Sequence, residues 1–305
     1  MKQKQKKLWL DIRKNAVLYA LVAIPIIWYI VFKYIPMYGL QIAFRRFNPT
    51  LGITKSPWVG LTYFKQFFQS YYFKDVLVNT LSLSVFTMLV GFPVPIFLAL
   101  LINEIKSTKL KKAVQNITYM PNFLSIVVIV SMLSLFSNKE YGLFNQITAF
   151  FGAKPVDFMS RPSAFQPLYV FSNVWQNMGF NAIIYIAALS AIDPQLYEAA
   201  SIDGATRMQK IIHISIPCIM GTILILFIMR IGNLMSVGFE KVLLMQRDVT
   251  ISSSEVISTF IYKNGIQKGQ FSYSTAVGMF NSIINFALLA GANFISKKTT
   301  KTSLW

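Results

Sequence analysis

One histidine, one cysteine and 11 acidic residues occur in 305 positions, and each shortage closes off a class of chemistry. His213 is the single histidine, so neither an HExxH pair nor any two-histidine metal site can form within the chain. No carboxylate stands at a suitable spacing from it, which makes it a loop or interface residue rather than a proton carrier. Cys218 alone excludes an intrachain disulfide, and a lone thiol is expected to act as a small buried apolar residue. No GxxxxGK[ST] run is present to cradle nucleotide phosphates, and no GxSxG nucleophile elbow. The few acids fall mostly between apolar runs, and none pair up inside one as a proton relay would require. Neither catalytic residues nor a metal set can be named, and any energy source must lie outside the chain.

What is abundant is oil. Hydrophobic residues make up 54% and aromatic residues 15%, with charged residues at 13%. Several apolar runs reach the roughly 20 residues needed to cross about 30 Å of hydrocarbon. Because backbone groups in lipid must be satisfied internally, the expected fold class is all-α, a polytopic membrane protein. A net charge of +18 would point to nucleic acid in a soluble chain. Here Lys and Arg at membrane borders fix topology and meet anionic lipid, so no nucleic-acid partner is expected.

Six transmembrane helices are predicted, at about 16–36, 76–102, 114–136, 167–190, 217–237 and 274–295. No small-residue cleavage site follows the first run, which is read as an uncleaved span. Pro25, Pro93, Pro95 and Pro121 fall within spans and are expected to bend or locally open them. Basic residues concentrate in the N-terminal tail (Lys2, Lys4, Lys6, Lys7, Arg13, Lys14), the 103–113 loop (Lys106, Lys109, Lys111, Lys112) and the C-terminal tail (Lys297, Lys298, Lys301). By the positive-inside rule both termini are cytoplasmic. The expected organisation is a cytoplasmic tail 1–15, a first span 16–36 and an extracellular segment 37–75. A core of five spans over 76–296 and a cytoplasmic tail 297–305 follow.

On the cytoplasmic side lies a polar segment, 193–217, reading DPQLYEAASIDGATRMQKIIHISIP. Asp193-Pro194 is a helix start: Asp caps free amides, and Pro at the first helical position loses nothing. Leu196, Ala199, Ala200 and Asp203 share one helix face, and Gly204 suits the left-handed turn that ends a helix. A second helix then leads to Pro217 at the membrane entry. The spacing fits either an ordinary interfacial hairpin or a small-residue face on which a partner surface seats closely.

The pattern Glu198-Ala199-Ala200, three residues, Gly204, nine residues, Ile214-Ser215-Ile216-Pro217 resembles the EAA loop of ABC importer permeases, with Ile216 where Leu is usual. The stretches YIPMYGLQIAF, SPWVGL, NTLSLS, ALLINEI, YMPNFLS and LSAIDPQLYEAASIDGA extend the resemblance across nearly the whole chain. They are similar to the carbohydrate-uptake group, closest to permeases of oligo- and polysaccharide import. The resemblance implies the type I importer permease fold in a bacterial cell membrane. It also implies a second homologous permease, two cytoplasmic ATPase subunits that bind ATP and Mg, and an extracellular sugar-binding protein. Glu198, Ala199, Ala200, Asp203, Gly204 and Pro217 then belong to a coupling loop seated on an ATPase.

Candidate substrate-path residues are Trp175, Gln176, Asn177, Asn181 and Tyr185 of the fourth span, and Arg230, Asn233 and Ser236 of the fifth. Asn79, Asn281 and Asn285 are weaker candidates. Each amide serves equally well as an interhelical hydrogen bond. Arg230 costs at least about 2.5–3.5 kcal/mol within a span, so it must pair, reach water or meet the partner permease. Trp58 and Tyr141 are candidates for binding-protein docking, with an interfacial aromatic role the alternative for Trp58. A permease for a non-sugar solute is the nearest alternative. A self-contained secondary transporter would call for intramembrane acids or a repeated half, neither of which is visible.

Overall fold

The computed structural model describes residues 14–300, with side chains through 298, so most of the two expected tails lies outside the described residues. The architecture is helical, and the described residues contain a single isolated β-bridge, Arg45 with Trp58. The first helix, α1, runs Ala16–Phe44, longer than the expected 16–36. Pro25 sits inside it without ending it. A short α2 (Thr62–Phe68) leads to α3 (Phe73–Asn103), which is jointed at Phe92, before Pro93.

The expected third span, 114–136, is not one straight helix. α4 (Thr108–Phe123) and α5 (Ile126–Phe136) meet at 96°. The cause is local. Pro121 lies in a tightened final turn, Leu124 and Ser125 are extended, and the Ser125 hydroxyl accepts from Val128 N–H to cap a new helix. α6 (Leu143–Phe150) follows, then α7 (Pro162–Ser190), 29 residues that begin ahead of the predicted 167. α8 (Pro194–Ile202) lies in the polar segment, and α9 runs Arg207–Gly232. The expected fifth span 217–237 therefore starts earlier and stops at Gly232, because residues 233–236 close into turns on Arg230, Ile231 and Asn233. α10 (Phe239–Met245), α11 (Ile257–Tyr262) and α12 (Phe271–Thr300) complete the chain.

Among the described residues, α1, α3, α9 and α12 are the four helices both long and apolar enough to cross a membrane, with the bent α4–α5 pair a possible fifth crossing. α7 has the length, but Gln166, Asn173, Gln176, Asn177 and Asn181 dilute its apolar run. It can lose apolarity because it is the internal helix: it packs along α3 and against α4 and α9. Three apolar clusters hold the bundle. One joins α3, α5, α7 and α10 through Leu83, Ile129, Val170 and Val242. A second joins α2, α3, α11 and α12 through Phe67, Val76, Phe260 and Val277. The third joins α3, α7 and α9 through Ala99, Leu100, Ala182, Tyr185 and Ile219. Where α7 crosses α4 the contact is so close that a β-carbon at Gly179 would collide with the Thr118 carbonyl. The apolar stretch of α1 from Ala16 to Met37 stands apart with none of its residues buried, while the last turns of α1 pack on α12. Such a surface belongs in lipid or against another membrane subunit.

Candidate functional site

The polar segment folds as its spacing predicts. The Asp193 carboxylate accepts from Gln195 N–H at 2.9 Å, and Pro194 occupies the first turn of α8. At the other end Gly204 adopts φ +75°, with Ala205 N–H donating to Ala200 O at 2.9 Å and Gly204 N–H to Ser201 O at 3.2 Å. That pair of bonds is a Schellman closure, which an L-residue at the left-handed position would strain. Thr206 then opens α9 with a capping box closed by Gln209. α8 is fixed to the membrane body by Tyr197 OH with Ser215 Oγ at 2.9 Å, and to α9 by Lys210 Nζ donating to Ser201 Oγ at 2.6 Å.

No residue of α8 is buried. Glu198, Ala199, Asp203 and Gly204 are exposed, Ala200 is half-buried, and Ile202 is 87% exposed. Glu198 forms no ion pair among the described residues, where Lys263 with Glu255 at 2.6 Å is the one such pair. The result is a rigidly capped helix that presents small side chains, one bare isoleucine and a free carboxylate. Pro217 lies in the first turn of the straight part of α9, after a wide π-type turn at Ile211–Ser215. His213 is exposed and bonds its own helix, through Nδ1 and Gln209 O at 3.0 Å. Cys218 is exposed, against the expectation of a buried thiol.

The second feature is a polar cavity of about 320 Å³, open to the surface and lined by α3, α7, the end of α9 and the 233–238 turn. That volume is at the lower end of the roughly 300–1,000 Å³ typical of small-molecule sites. Tyr169, Asn173, Asn177 and Asn181 line it from α7 at successive i+4 positions, one ridge of the helix. Ser84 and Thr87 line it from α3, and their buried hydroxyls have no hydrogen-bond partner among the described residues. Arg230, Asn233, Ser236 and Gly238 close the other side. A smaller cavity of about 130 Å³ adjoins it, sharing Asn181 and Arg230 and reaching Tyr185, Phe92 and Pro95.

Of the eight path candidates, Asn177, Asn181, Arg230, Asn233 and Ser236 meet at the larger cavity, and Tyr185 lies in the smaller one as a member of the apolar core. Two are elsewhere. Trp175 lines a separate apolar hollow with Phe136, Phe144 and Phe171, because it projects from the opposite face of α7. Gln176 is buried and donates to Leu124 O at 3.1 Å, satisfying a carbonyl freed by the α4–α5 break. Asn177 combines both roles: it lines the cavity while its Oδ1 accepts from Asn122 Nδ2 at 3.1 Å. Of the weaker candidates, Asn79 holds the loop before α11 by donating to Ser252 O (2.9 Å) and Glu255 O (3.2 Å). Asn285 braces the cavity turn, accepting from Met235 N–H at 2.9 Å and donating to Ser236 Oγ at 3.1 Å. Asn281 does not line the cavity.

Sequence reasoning missed Ser84, Thr87, Tyr169 and Asn173. The signal for the last two was present: they continue the Asn177/Asn181 ridge by four residues at a time. Nothing local marked Ser84 and Thr87, since hydroxyls in spans usually bond their own backbone. Trp58 stacks on Phe44 at 5.4 Å with Arg45 also 5.4 Å from its ring, pinning the end of α1, and Tyr141 is exposed.

Apolar helices around a polar cavity, with a capped helix standing off one end, are the build of a multi-pass membrane transport subunit. The chain belongs to the family described as "Binding-protein-dependent transport system inner membrane component", matched over residues 91–301. It is 40% identical over 297 residues to the polygalacturonan/rhamnogalacturonan transport system permease protein YteP of Bacillus subtilis (strain 168), covering 97% of this chain and 92% of that one. It is similar to a chain of a solved bacterial ABC transporter involved in import of the acidic polysaccharide alginate. There the TM-score is 0.88 at 41% identity, covering 96% of this chain and 99% of the other. A second structure, of a bacterial alginate ABC transporter with an alginate pentasaccharide-bound periplasmic protein, matches with TM-score 0.89 and 40% identity, covering 98% and 100%.

Proposed function

We propose that this chain is the membrane subunit through which an ABC importer carries an oligosaccharide, by ATP-driven alternating access. The observation that carries the reading is α8: a capped helix with no buried residue, bearing the EAA pattern and tied to α9, the wall of the polar cavity. A helix with no buried face and a free carboxylate is made for a partner. An ATPase subunit seated on Ala199 and Ala200 would transmit its closure through the Tyr197–Ser215 and Ser201–Lys210 contacts into α9. Glu198 would supply the polar contact and Gly204 the turn. Pro217 and Asp203 would set where the handle meets the membrane and the turn.

In this reading the chain catalyses no reaction itself. ATP and Mg bind to two separate cytoplasmic subunits, a second homologous permease completes the pathway, and an extracellular binding protein delivers the sugar. The relatives' named cargoes and the periplasmic protein of the second solved complex support the last point. Six crossings are reached if α7 and the bent α4–α5 pair each count as one alongside the four apolar helices. Both termini and α8 are then cytoplasmic. The exposed apolar α1 is the natural contact for lipid or the second permease.

The test is reconstitution of the chain with its partner permease, ATPases and binding protein in proteoliposomes. Saccharide uptake should require both ATP and the binding protein. Glu198→Lys should insert normally but lose ATPase co-purification or uptake. Saccharide accumulation by this chain alone, driven by an ion gradient, would sink the proposal.

A further inference from the structure

The cavity is polar but not charge-neutral. Arg230 lines both the larger and the smaller cavity, and no carboxylate lines either. Among the described residues the guanidinium meets no hydrogen-bond acceptor and no acid, Glu255 with Lys263 being the one ion pair. A second cation stands behind the same wall. Lys241 on α10 is 3% exposed, its ammonium has no hydrogen-bond partner, and Nζ lies 5.4 Å from the ring centroid of Tyr169, which lines the cavity. Two cations without acids therefore flank one tyrosine, beside the unpartnered hydroxyls of Ser84 and Thr87.

A neutral sugar needs amides and hydroxyls, and the Asn ridge with Asn233 and Ser236 supplies them. It gives no reason to turn an exposed guanidinium without an acid partner toward the same space. The last turn of α9 favours a cation through its free carbonyls and water reaches the exposed side chain, which eases the cost of Arg230 but gives its five donors no protein acceptor among the described residues. A planar carboxylate fills them in the bidentate geometry for which guanidinium is suited.

We infer that Arg230 is the specificity residue of the transport path: it binds the carboxylate of a uronic-acid unit as the saccharide passes, making this a carrier of acidic oligosaccharides. The Asn173, Asn177, Asn181 and Asn233 amides hold the neutral hydroxyls of the same ring. Lys241 adds positive potential from behind Tyr169 without touching the cargo. The inference rests on the oligosaccharide reading and on this cavity being its path.

The experiment uses the full complex in proteoliposomes. The probes are short oligogalacturonates and oligomannuronates, their methyl esters, and a neutral oligosaccharide of equal length. The wild-type complex should take up acid over ester after the binding protein's own affinities are factored out. Arg230→Gln should lower the acid-to-ester uptake ratio roughly ten- to hundredfold, and Arg230→Lys should recover part of it, a point charge replacing the fork. Equal losses on acid and ester, or an unchanged ratio, overturn the assignment. Failure of Arg230→Gln to co-purify with the second permease also overturns it, marking the arginine as an interface ion pair. Should that variant fail to insert into the membrane at all, the wild-type comparison still decides, since equal uptake of acid and ester contradicts the inference. Wild-type uptake of neutral sugars alone defeats this inference and spares the proposed function. Uptake of no saccharide at all defeats the proposed function itself.

Discussion

The handle at 193–217 and the cavity beside α7 are built in opposite ways. The handle is contiguous: caps, turn and exposed face all come from 25 consecutive residues, and every bond that shapes it spans 18 positions or fewer. The cavity draws on residues from Ser84 to Gly238, supplied by α3, α7, α9 and the following turn. A local device depends on backbone chemistry, so one wrong φ ruins it. A distributed site tolerates the loss of single contacts in stability and registers them in selectivity.

The largest effect should follow from breaking the handle. Gly204→Pro fixes φ near −65° where +75° is required, so it opens the Schellman closure. Uptake in the reconstituted complex should fall by more than about tenfold, with normal membrane insertion and reduced ATPase co-purification. Retained uptake with full ATPase recovery would remove α8 from the coupling role.

Next come two amides five residues apart on α7. Gln176→Ala leaves the Leu124 carbonyl without its partner and should lower the complex's thermal stability by about 1–3 kcal/mol. Asn181→Ala should do the reverse. Its side chain makes no hydrogen bond among the described residues, so stability should hold while saccharide uptake drops roughly three- to tenfold. If both variants track stability alike, the distinction between scaffold amide and path amide collapses.

The smallest effect is expected at Lys241. Burial pulls its ammonium from the usual 10.5 down to about 8. The folded protein thus holds this proton less tightly than the unfolded chain. The full penalty applies below about pH 8 and is relieved as pH rises toward 10.5. Lys241→Met should raise the melting temperature at pH 7 by the equivalent of about 1–2 kcal/mol, the contact with Tyr169 offsetting part of the gain. It should also abolish any stability rise between pH 8 and 10. A lower melting temperature would mean that the cation–π contact outweighs desolvation.

Legibility in the sequence followed this same divide. Asp193, Gly204 and Thr206 act through bonds to residues within five positions, so their roles could be read from spacing. The apolar helices were legible for a related reason, since hydrophobic length is a property of the segment alone. Several boundaries moved. Ser125 caps a new helix after Pro121 and turns the third span through 96°, and Arg230 to Asn233 closes the fifth early. α1 extends to Phe44, where Trp58 stacks on its end from a loop 14 positions away.

By itself, then, the sequence determined a helical membrane protein, its polar handle and the polar character of α7, because each depends on neighbours along the chain. Only the tertiary structure decided which α7 residues face the cavity. Trp175 and Asn177 are two residues apart, yet roughly 200° of helical rotation sends one into an apolar hollow and the other to the cavity. Packing of α7 against α3 sets that rotation, and with it the meeting of Ser84, Tyr169 and Arg230 around one space.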